Sequence, residues 1–368
     1  MDKVLYISSM GKVHDYRFLK KLADDYELTY LHYSASEVMQ EIKELNIRVI
    51  HKKPFKNNLP LLSELPHLKK VYKTIKPDIV HTGYVWQTGI LASMLNLHPH
   101  LSMAWGSDIL IEPEKHFMIK MMVRKVMNQC DHIQCDAEVV KSKIISLFNT
   151  PADKITVFPW GIDLALYKKQ DKEESRKELG LNPDDMIFIC TRPLEKLYRV
   201  TELLHVFKDF AKGKKDVKLV LATDGTLRDE VLHFIEDSNL QDKILFKGWI
   251  KYYEMPVYYN AADVNVSNSS SDGTSLSMLE AMACGCGLIV TDVPAIIEWV
   301  NKDNGFIVSR EDPGEFKQAM EKYYSDRSLI NTHGRKNIEL AKEKADWDKN
   351  YLKLKDIYSN LRKNPSAS

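Results

Sequence analysis

The sequence predicts an α/β protein made of two doubly wound domains, each around a parallel sheet. Short apolar runs alternate with longer stretches of helical period along almost the whole chain, the pattern of βα units that feed a parallel sheet. At 368 residues the chain exceeds one ordinary domain of roughly 100–200 residues, so two domains are expected. The alternation stops once, at Pro159-Trp160-Gly161-Ile162-Asp163, ahead of a polar stretch over 168–177. The expected division is 1–163, 164–335 and a charged helical tail, 336–368, free to pack back on the first domain.

In chain order, the strands of the first domain are expected at 4–8, 27–32, 48–51, 78–82, 101–105, 132–135 and 156–158, in the short apolar runs of the alternating pattern. Helical spacing falls between them at 14–23, 36–45, 60–75, 86–95, 114–128 and 139–148. The second domain repeats the scheme, with strands at 186–191, 217–222, 244–247, 263–267 and 287–291. Its helices are expected at 201–211, 227–237, 275–283, 295–300 and 313–324, followed by the tail from 328 to about 361. Ligands of such sheets bind at the carboxyl ends of the strands, which here are expected to face one another across an inter-domain cleft.

Composition removes several function classes. Hydrophobic residues are 44% and charged residues 28%, ordinary globular values that exclude a disordered, collagenous or coiled-coil chain. With 52 Lys+Arg against 51 Asp+Glu the net charge is +1, so no global field points to nucleic acid. Val4-Leu5-Tyr6-Ile7 is too short for the apolar core of a signal peptide, and no run of about 18 apolar residues could span a bilayer. The five cysteines are irregularly spaced and form no Cys/His cluster with zinc spacing, so a reduced, cytoplasmic protein is expected. Asp346-Trp347-Asp348 has the letters of a metal-binding DxD motif but sits in the helical tail, and no metal is expected. The segment 114–125 mixes Lys115, Lys120, Arg124 and Lys125 with Phe117, Met118, Met121 and Met122. It fits either a helix facing the core with lysines reaching outward, or a peripheral helix on the inner face of a membrane.

The most informative stretch is 269–285, Ser-Ser-Ser-Asp-Gly-Thr-Ser-Leu-Ser-Met-Leu-Glu-Ala-Met-Ala-Cys-Gly. A strand runs into a polar loop, and a helix starts near Thr274, capped by Thr274 or Asp272. Gly273 clears space for a ligand, and the amides of Thr274, Ser275 and Leu276 would form an anion site at the helix N-terminus. Asp272 lies before the helix and Glu280 within it, both suited to sugar hydroxyls. A phosphate flanked by two carboxylates describes a nucleotide-sugar site.

These residues resemble the E-x7-E region of the retaining glycosyltransferase family 4 (glycosyl transferases group 1, GT-B fold), with Asp272 in place of the first Glu. The likeness continues through Val290-Thr291-Asp292-Val293-Pro294, Phe246-Lys247-Gly248-Trp249, Asp224-Gly225, Trp160-Gly161-Ile162-Asp163, Gly106-Ser107-Asp108 and Pro77-Asp78-Ile79-Val80-His81. It implies a GT-B architecture of two Rossmann-like domains, with acceptor taken by the first and nucleotide sugar by the second. By the same resemblance, Glu280 would bind the ribose and Asp272 the donor sugar. Ser275 and Leu276 would hold the distal phosphate through their amides, and Arg192 would neutralise the diphosphate, with Lys196 as a second cation. Gly11 would lie beside the diphosphate, Asp224 and Gly225 in a site turn, and Trp249 near the base. His14, Trp105, Gly106 and Asp108 would be on the acceptor side, Trp105 standing where the family has histidine. Either Lys196 or Tyr198 can be aligned with the lysine that usually follows the arginine.

The function expected is metal-independent transfer of a sugar, with retention, from a nucleotide diphosphate sugar to a glycan, a lipid-linked glycan or a small molecule. No cofactor is expected. A non-catalytic nucleotide-sugar-binding subunit and a nucleotide-sugar epimerase of the same fold are the alternatives.

Overall fold

The computed structural model describes residues 1–9, 11, 13–53 and 61–363. The chain divides into two compact units, Met1–Pro159 joined by 349–363, and Trp160–Asp348. The boundary expected at 163 thus falls at 159, and the expected tail is split: 336–348 belong to the second unit and 349–363 to the first.

The first unit holds seven strands, β1 (Lys3–Ser8), β2 (Glu27–Tyr33), β3 (Arg48–Lys52), β4 (Ile79–Gly83), β5 (His100–Ala104), β6 (His132–Cys135) and β7 (Ile155–Val157). They form one parallel sheet in the order β3-β2-β1-β4-β5-β6-β7. The order reverses between β1 and β4, where a crevice opens at the carboxyl ends. On one face Leu5, Ile7, Leu31 and Val80 pack against Leu68, Val71 and Ile75 of the helix Leu65–Ile75. The helix expected over 60–75 begins outside the described residues at Pro60, and the one expected over 36–45 shrinks to Gln40–Lys43. The last helix, Trp347–Lys363, is tied to this unit through Tyr351, whose hydroxyl donates to Asp25 at 2.8 Å, and through Tyr358, 2.5 Å from Nδ1 of His81.

The second unit contains β8 (Met186–Cys190), β9 (Val217–Leu221), β10 (Ile244–Phe246), β11 (Val264–Ser267), β12 (Gly287–Thr291) and β13 (Phe306–Val308), all parallel in the order β10-β9-β8-β11-β12-β13. Its reversal lies between β8 and β11. The short β13 is an addition to the expected strands. So is the helix Lys172–Glu178, in the stretch read as a polar break. Asp171 caps it by accepting from Glu174 N at 2.8 Å, and buried Arg176 pairs with Asp263 at 2.8 Å, which ties the segment to the sheet. No helix among the described residues is long and apolar enough to cross a membrane.

One close approach fixes the helix that leads away from the second crevice. The helix Leu276–Cys284 ends at Gly285 in the left-handed conformation (φ 80°), and Gly334 of the helix Ser328–Lys344 lies directly against it. A Cβ at Gly334 would stand 2.3 Å from the Gly285 carbonyl oxygen, a backbone atom that cannot move alone. Gly334→Ala is therefore expected to destabilise the second unit by about 1–3 kcal/mol through overpacking. A melting temperature equal to that of the unaltered protein would contradict this packing.

Candidate functional site

The crevice between β8 and β11 gathers the charged residues. Thr191 and Arg192 follow β8 directly, and the loop 268–275 follows β11 and leads into the helix Leu276–Cys284. Arg192 is buried, and both terminal nitrogens of its guanidinium have partners, while Nε has no hydrogen-bond partner among the described residues. Nη2 pairs with Asp272 Oδ2 at 2.7 Å, while Nη1 donates to Ser275 Oγ at 2.7 Å and to Ser277 Oγ at 3.3 Å. The Tyr198 ring lies 4.1 Å from the guanidinium carbon. Burial works against the charge, but Asp272 foremost, then Tyr198, more than offset it and hold the arginine more firmly protonated than usual. Burial likewise pushes the Asp272 carboxyl up, opposed by Arg192. Glu195, a possible local partner for Arg192, instead accepts from Thr226 N at 2.9 Å.

The helix is capped by Ser275, whose hydroxyl accepts from Met278 N, and not by Thr274 or Asp272 as expected. Asp272 is drawn to Arg192, and the loop turns one residue later than the sequence suggests. Further along, buried Glu280 accepts from the Tyr259 hydroxyl at 3.2 Å, and the same hydroxyl lies 3.3 Å from Thr191 Oγ1. Tyr259 therefore links the residue beside Arg192 to Glu280. Burial, then Glu280, pushes the phenol well above its ordinary value, so it stays a proton donor.

The other expected residues of this unit lie in the loop and first turn at the crevice or on loops that follow other strands. Gly273, Thr274 and Leu276 lie in the same loop and first turn. Asp224 bonds the Gly225 amide at 2.8 Å and pairs with Arg228. A Cβ at Gly225 would be 2.6 Å from the Leu194 carbonyl oxygen, so glycine lets this turn press on the segment after Arg192. Trp249, after β10, is 66% exposed and available for stacking. Lys196 is exposed on the short turn Lys196–Tyr198, and Tyr198, not Lys196, covers Arg192. The residues that sequence reading missed are Ser277, Tyr259 and Arg310. Arg310 pairs with Asp292 at 2.8 Å and donates to the Ser270 carbonyl at 3.0 Å.

In the first unit, the reversal between β1 and β4 carries its own cluster. Gly11 adopts φ 63° and donates its amide to Asp15 Oδ2 at 2.7 Å; a Cβ there would meet the His32 ring at 2.5 Å. The His14 ring stands edge-on to Trp105, centroids 5.6 Å apart, and Tyr84 stands edge-on to the same indole at 6.0 Å. Tyr84 was also missed; its φ of 76°, rare for a non-glycine residue, marks a constrained turn after β4. Gly106 precedes a short helix, and Asp108 is fully buried, accepting from Val85 N and Trp105 N at 2.9 Å each. Burial pushes its carboxyl up to about 7 against those amides. Asp108 therefore shapes the Trp105 loop from beneath.

Comparison with known proteins bears on both units. Residues 171–344 match the family model of glycosyl transferases group 1, and residues 3–137 match that of the glycosyl transferase 4-like family. The chain is 26% identical over 240 residues to alpha-monoglucosyldiacylglycerol synthase of Streptococcus pneumoniae, covering 61% of this chain and 54% of that protein. It thus spans little more than half the length of that relative. To the capsular polysaccharide biosynthesis glycosyltransferase CapM of Staphylococcus aureus it is 26% identical over 321 residues, covering 82% and 83%. Among solved structures, sucrose-phosphate synthase from Thermosynechococcus elongatus superposes with a TM-score of 0.81 at 18% identity, covering 98% of this chain and 99% of that one. Anabaena HepE in complex with UDP-glucose gives 0.81 at 16% identity, covering 98% and 100%. The fold is GT-B.

The Arg192–Asp272 pair is open to a double-mutant cycle. Arg192→Ala leaves a half-buried carboxylate unpaired and is expected to cost about 1–3 kcal/mol of stability, part of it recovered in Arg192→Ala/Asp272→Ala. Additive losses in denaturant unfolding would show that the two side chains do not interact.

Proposed function

The chain belongs to the glycosyl transferases group 1 family, and from that membership we propose that it moves a sugar from a nucleotide diphosphate sugar to an acceptor hydroxyl. The observation that carries the reading is the buried Arg192, held between Asp272, Ser275 and Ser277 at the start of the helix that bears Glu280. A fixed cation, two hydroxyls and helix amides make a diphosphate site, and a carboxylate on each side suits the two sugars of the donor. In this reading Glu280 takes the ribose, Trp249 the base and Asp272 the transferred sugar. The first unit takes the acceptor beside His14, Trp105 and Gly106. The name of the pneumococcal relative favours a lipid-linked acceptor and that of the staphylococcal one a glycan.

The transfer proceeds with retention, by front-face attack. The bond from the anomeric carbon to the phosphate oxygen breaks, the acceptor oxygen bonds the same face, and its proton passes to the departing phosphate. Charge grows on the diphosphate as the bond lengthens, and Arg192 with the helix N-terminus stabilises it. These partners serve in place of a divalent cation, and no cofactor is needed.

Glu280→Ala removes a charged acceptor of ribose hydroxyls and is expected to weaken nucleoside diphosphate binding by about 1.5–3 kcal/mol, ten-fold or more. Calorimetric titration giving an unchanged affinity would place the ribose elsewhere.

The function is tested by incubating the protein with UDP-, GDP- and ADP-sugars and candidate acceptors, with product analysis by mass spectrometry and NMR. The expected product keeps the donor's anomeric configuration, and turnover persists in excess EDTA. Arg192→Ala should lower turnover about 100-fold, by analogy with loss of an oxyanion donor. Arg192→Lys should recover only part of it, since a point charge lacks the planar fork. Donor sugars interconverted without acceptor would indicate an epimerase, and binding without any turnover a non-catalytic subunit.

A further inference from the structure

The helix expected over 114–128 is broken in two, Glu112–Lys115 and Phe117–Gln129, and the second piece has two apolar faces. Ile119, Val123, Val126 and Met127 are buried and hold it to the first unit. Phe117, Met118 and Met121 point the other way and are 76%, 68% and 48% exposed. One turn of helix brings these three together, at i, i+1 and i+4. Elsewhere among the described residues the large exposed hydrophobics are single residues along the chain, apart from Trp249 and Tyr253, four residues apart. An aromatic and two thioethers left on one turn, while the same helix already has a buried face, need a partner.

The charges beside them indicate which partner. Between 115 and 129 the chain carries Lys115, Lys120, Arg124 and Lys125 and not one acid, a local excess of four against +1 for the whole protein. Lys115 is paired with Glu112 at 2.9 Å, and Arg124 donates to the Leu147 carbonyl at 3.1 Å. Lys125 is exposed and Lys120 half-buried, beside the apolar turn. Glu114, the nearest upstream acid, is taken by Lys143. Apolar side chains flanked by uncompensated lysines are the chemistry of a surface that seats on an anionic bilayer: the rings and thioethers enter the acyl boundary and the ammonium groups meet lipid phosphates. A second copy of the chain would bring the same lysines face to face.

We infer that the helix Phe117–Gln129 docks the first unit on an anionic lipid surface through Phe117, Met118 and Met121, with Lys120 and Lys125 on the headgroups. As a statement about where the acceptor is met, this rests on the glycosyl-transfer reading; as a statement about the surface, it is tested without turnover. The full chain is sedimented with vesicles of phosphatidylcholine alone and of phosphatidylcholine mixed equally with phosphatidylglycerol. It should bind the mixed vesicles, bind the neutral ones weakly, and be released by salt. Phe117→Ser/Met118→Ser/Met121→Ser should lower partitioning about ten-fold or more, and Lys120→Gln/Lys125→Gln should remove the preference for anionic lipid. Both variants alter side chains outside the core, so UDP or GDP binding and melting temperature should stay as in the parent, and the lysine variant serves alone if the triple one fails to fold. Protein that stays in solution with the mixed vesicles overturns the inference, as does equal binding to both lipids. A triple variant that turns a dimer into a monomer without losing vesicle binding also overturns it, in favour of an interface between copies. Vesicle binding by a protein that transfers no sugar would sink the functional reading and leave the docking surface standing.

Discussion

Everything at the edge of the second sheet depends on keeping one guanidinium charged and aimed where water hardly reaches. Burying an unpaired cation costs several kcal/mol, so Arg192 can remain only because its surroundings repay the loss of hydration. Asp272 supplies the charge, Ser275 and Ser277 supply acceptors, and Tyr198 supplies a π face. Each of those partners must then be held. The Tyr198 turn and the loop after β11 are joined by Ser270, whose amide and hydroxyl both donate to the Leu197 carbonyl at 2.9 Å. Thr291 donates to the Ser269 carbonyl at 2.6 Å, Asn268 to the Arg199 carbonyl at 3.1 Å, and Arg310 holds Ser270 from outside. The loop is fixed by backbone and side-chain bonds together, those of Asn268 and Ser270 among them. A site built this way has little to reorganise when charge develops in it.

The first unit treats the equivalent position in the opposite sense. Where β1 ends it buries an anion, Asp15, and turns it away from the surface. Its carboxylate accepts from Gly11 N at 2.7 Å, Tyr30 at 2.9 Å and Tyr6 at 3.2 Å. Burial raises its pKa and those donors work against the rise. The effect is to pin Gly11 in its left-handed turn, with the His32 ring packed where a side chain would otherwise sit. The two reversal points have the same topology but different tasks. One holds a buried cation among polar partners, and the other uses a carboxylate to shape a loop next to which His14 and Trp105 stand.

How much of this could be read from the sequence follows from which interactions are local. Strands announce themselves as short runs rich in apolar residues, so twelve of the strands were placed within a residue or two; β13 was missed although Phe306-Ile307-Val308 is such a run. The helix Lys172–Glu178 was hidden because its stability comes from one cap and one distant ion pair, and its outward residues look like linker. The loop before the helix Leu276–Cys284 was legible as letters, since Ser-Asp-Gly-Thr marks a helix start. Its actual cap was not, because the choice between Asp272, Thr274 and Ser275 is made by Arg192, eighty residues earlier in the chain. Tyr259 and Arg310 lie outside the recognisable motif and act through contacts that no local spacing encodes. The segment 114–125 was ambiguous because its helix has both a buried face and an exposed apolar turn.

The Arg192–Asp272 pair also bears on what the crevice can select, given the proposed function. Of the groups around the guanidinium, the two serine hydroxyls can accept from Arg192 and still turn their own O–H toward an incoming anion. Asp272 cannot, because a carboxylate offers only acceptors and repels a phosphate. A diphosphate that takes Nη2 must therefore release Asp272, and a carboxylate set free in a half-buried place is costly unless it finds new donors, by about 1–3 kcal/mol. Sugar hydroxyls are such donors. A ligand with phosphate alone satisfies Arg192 and strands Asp272; a ligand with phosphate joined to a sugar satisfies both. Replacing the family's first glutamate by the shorter aspartate tightens this exchange, since the shorter side chain has fewer positions from which it can reach a partner. In this reading the contact between Arg192 and Asp272 opposes a ligand lacking the group to be transferred.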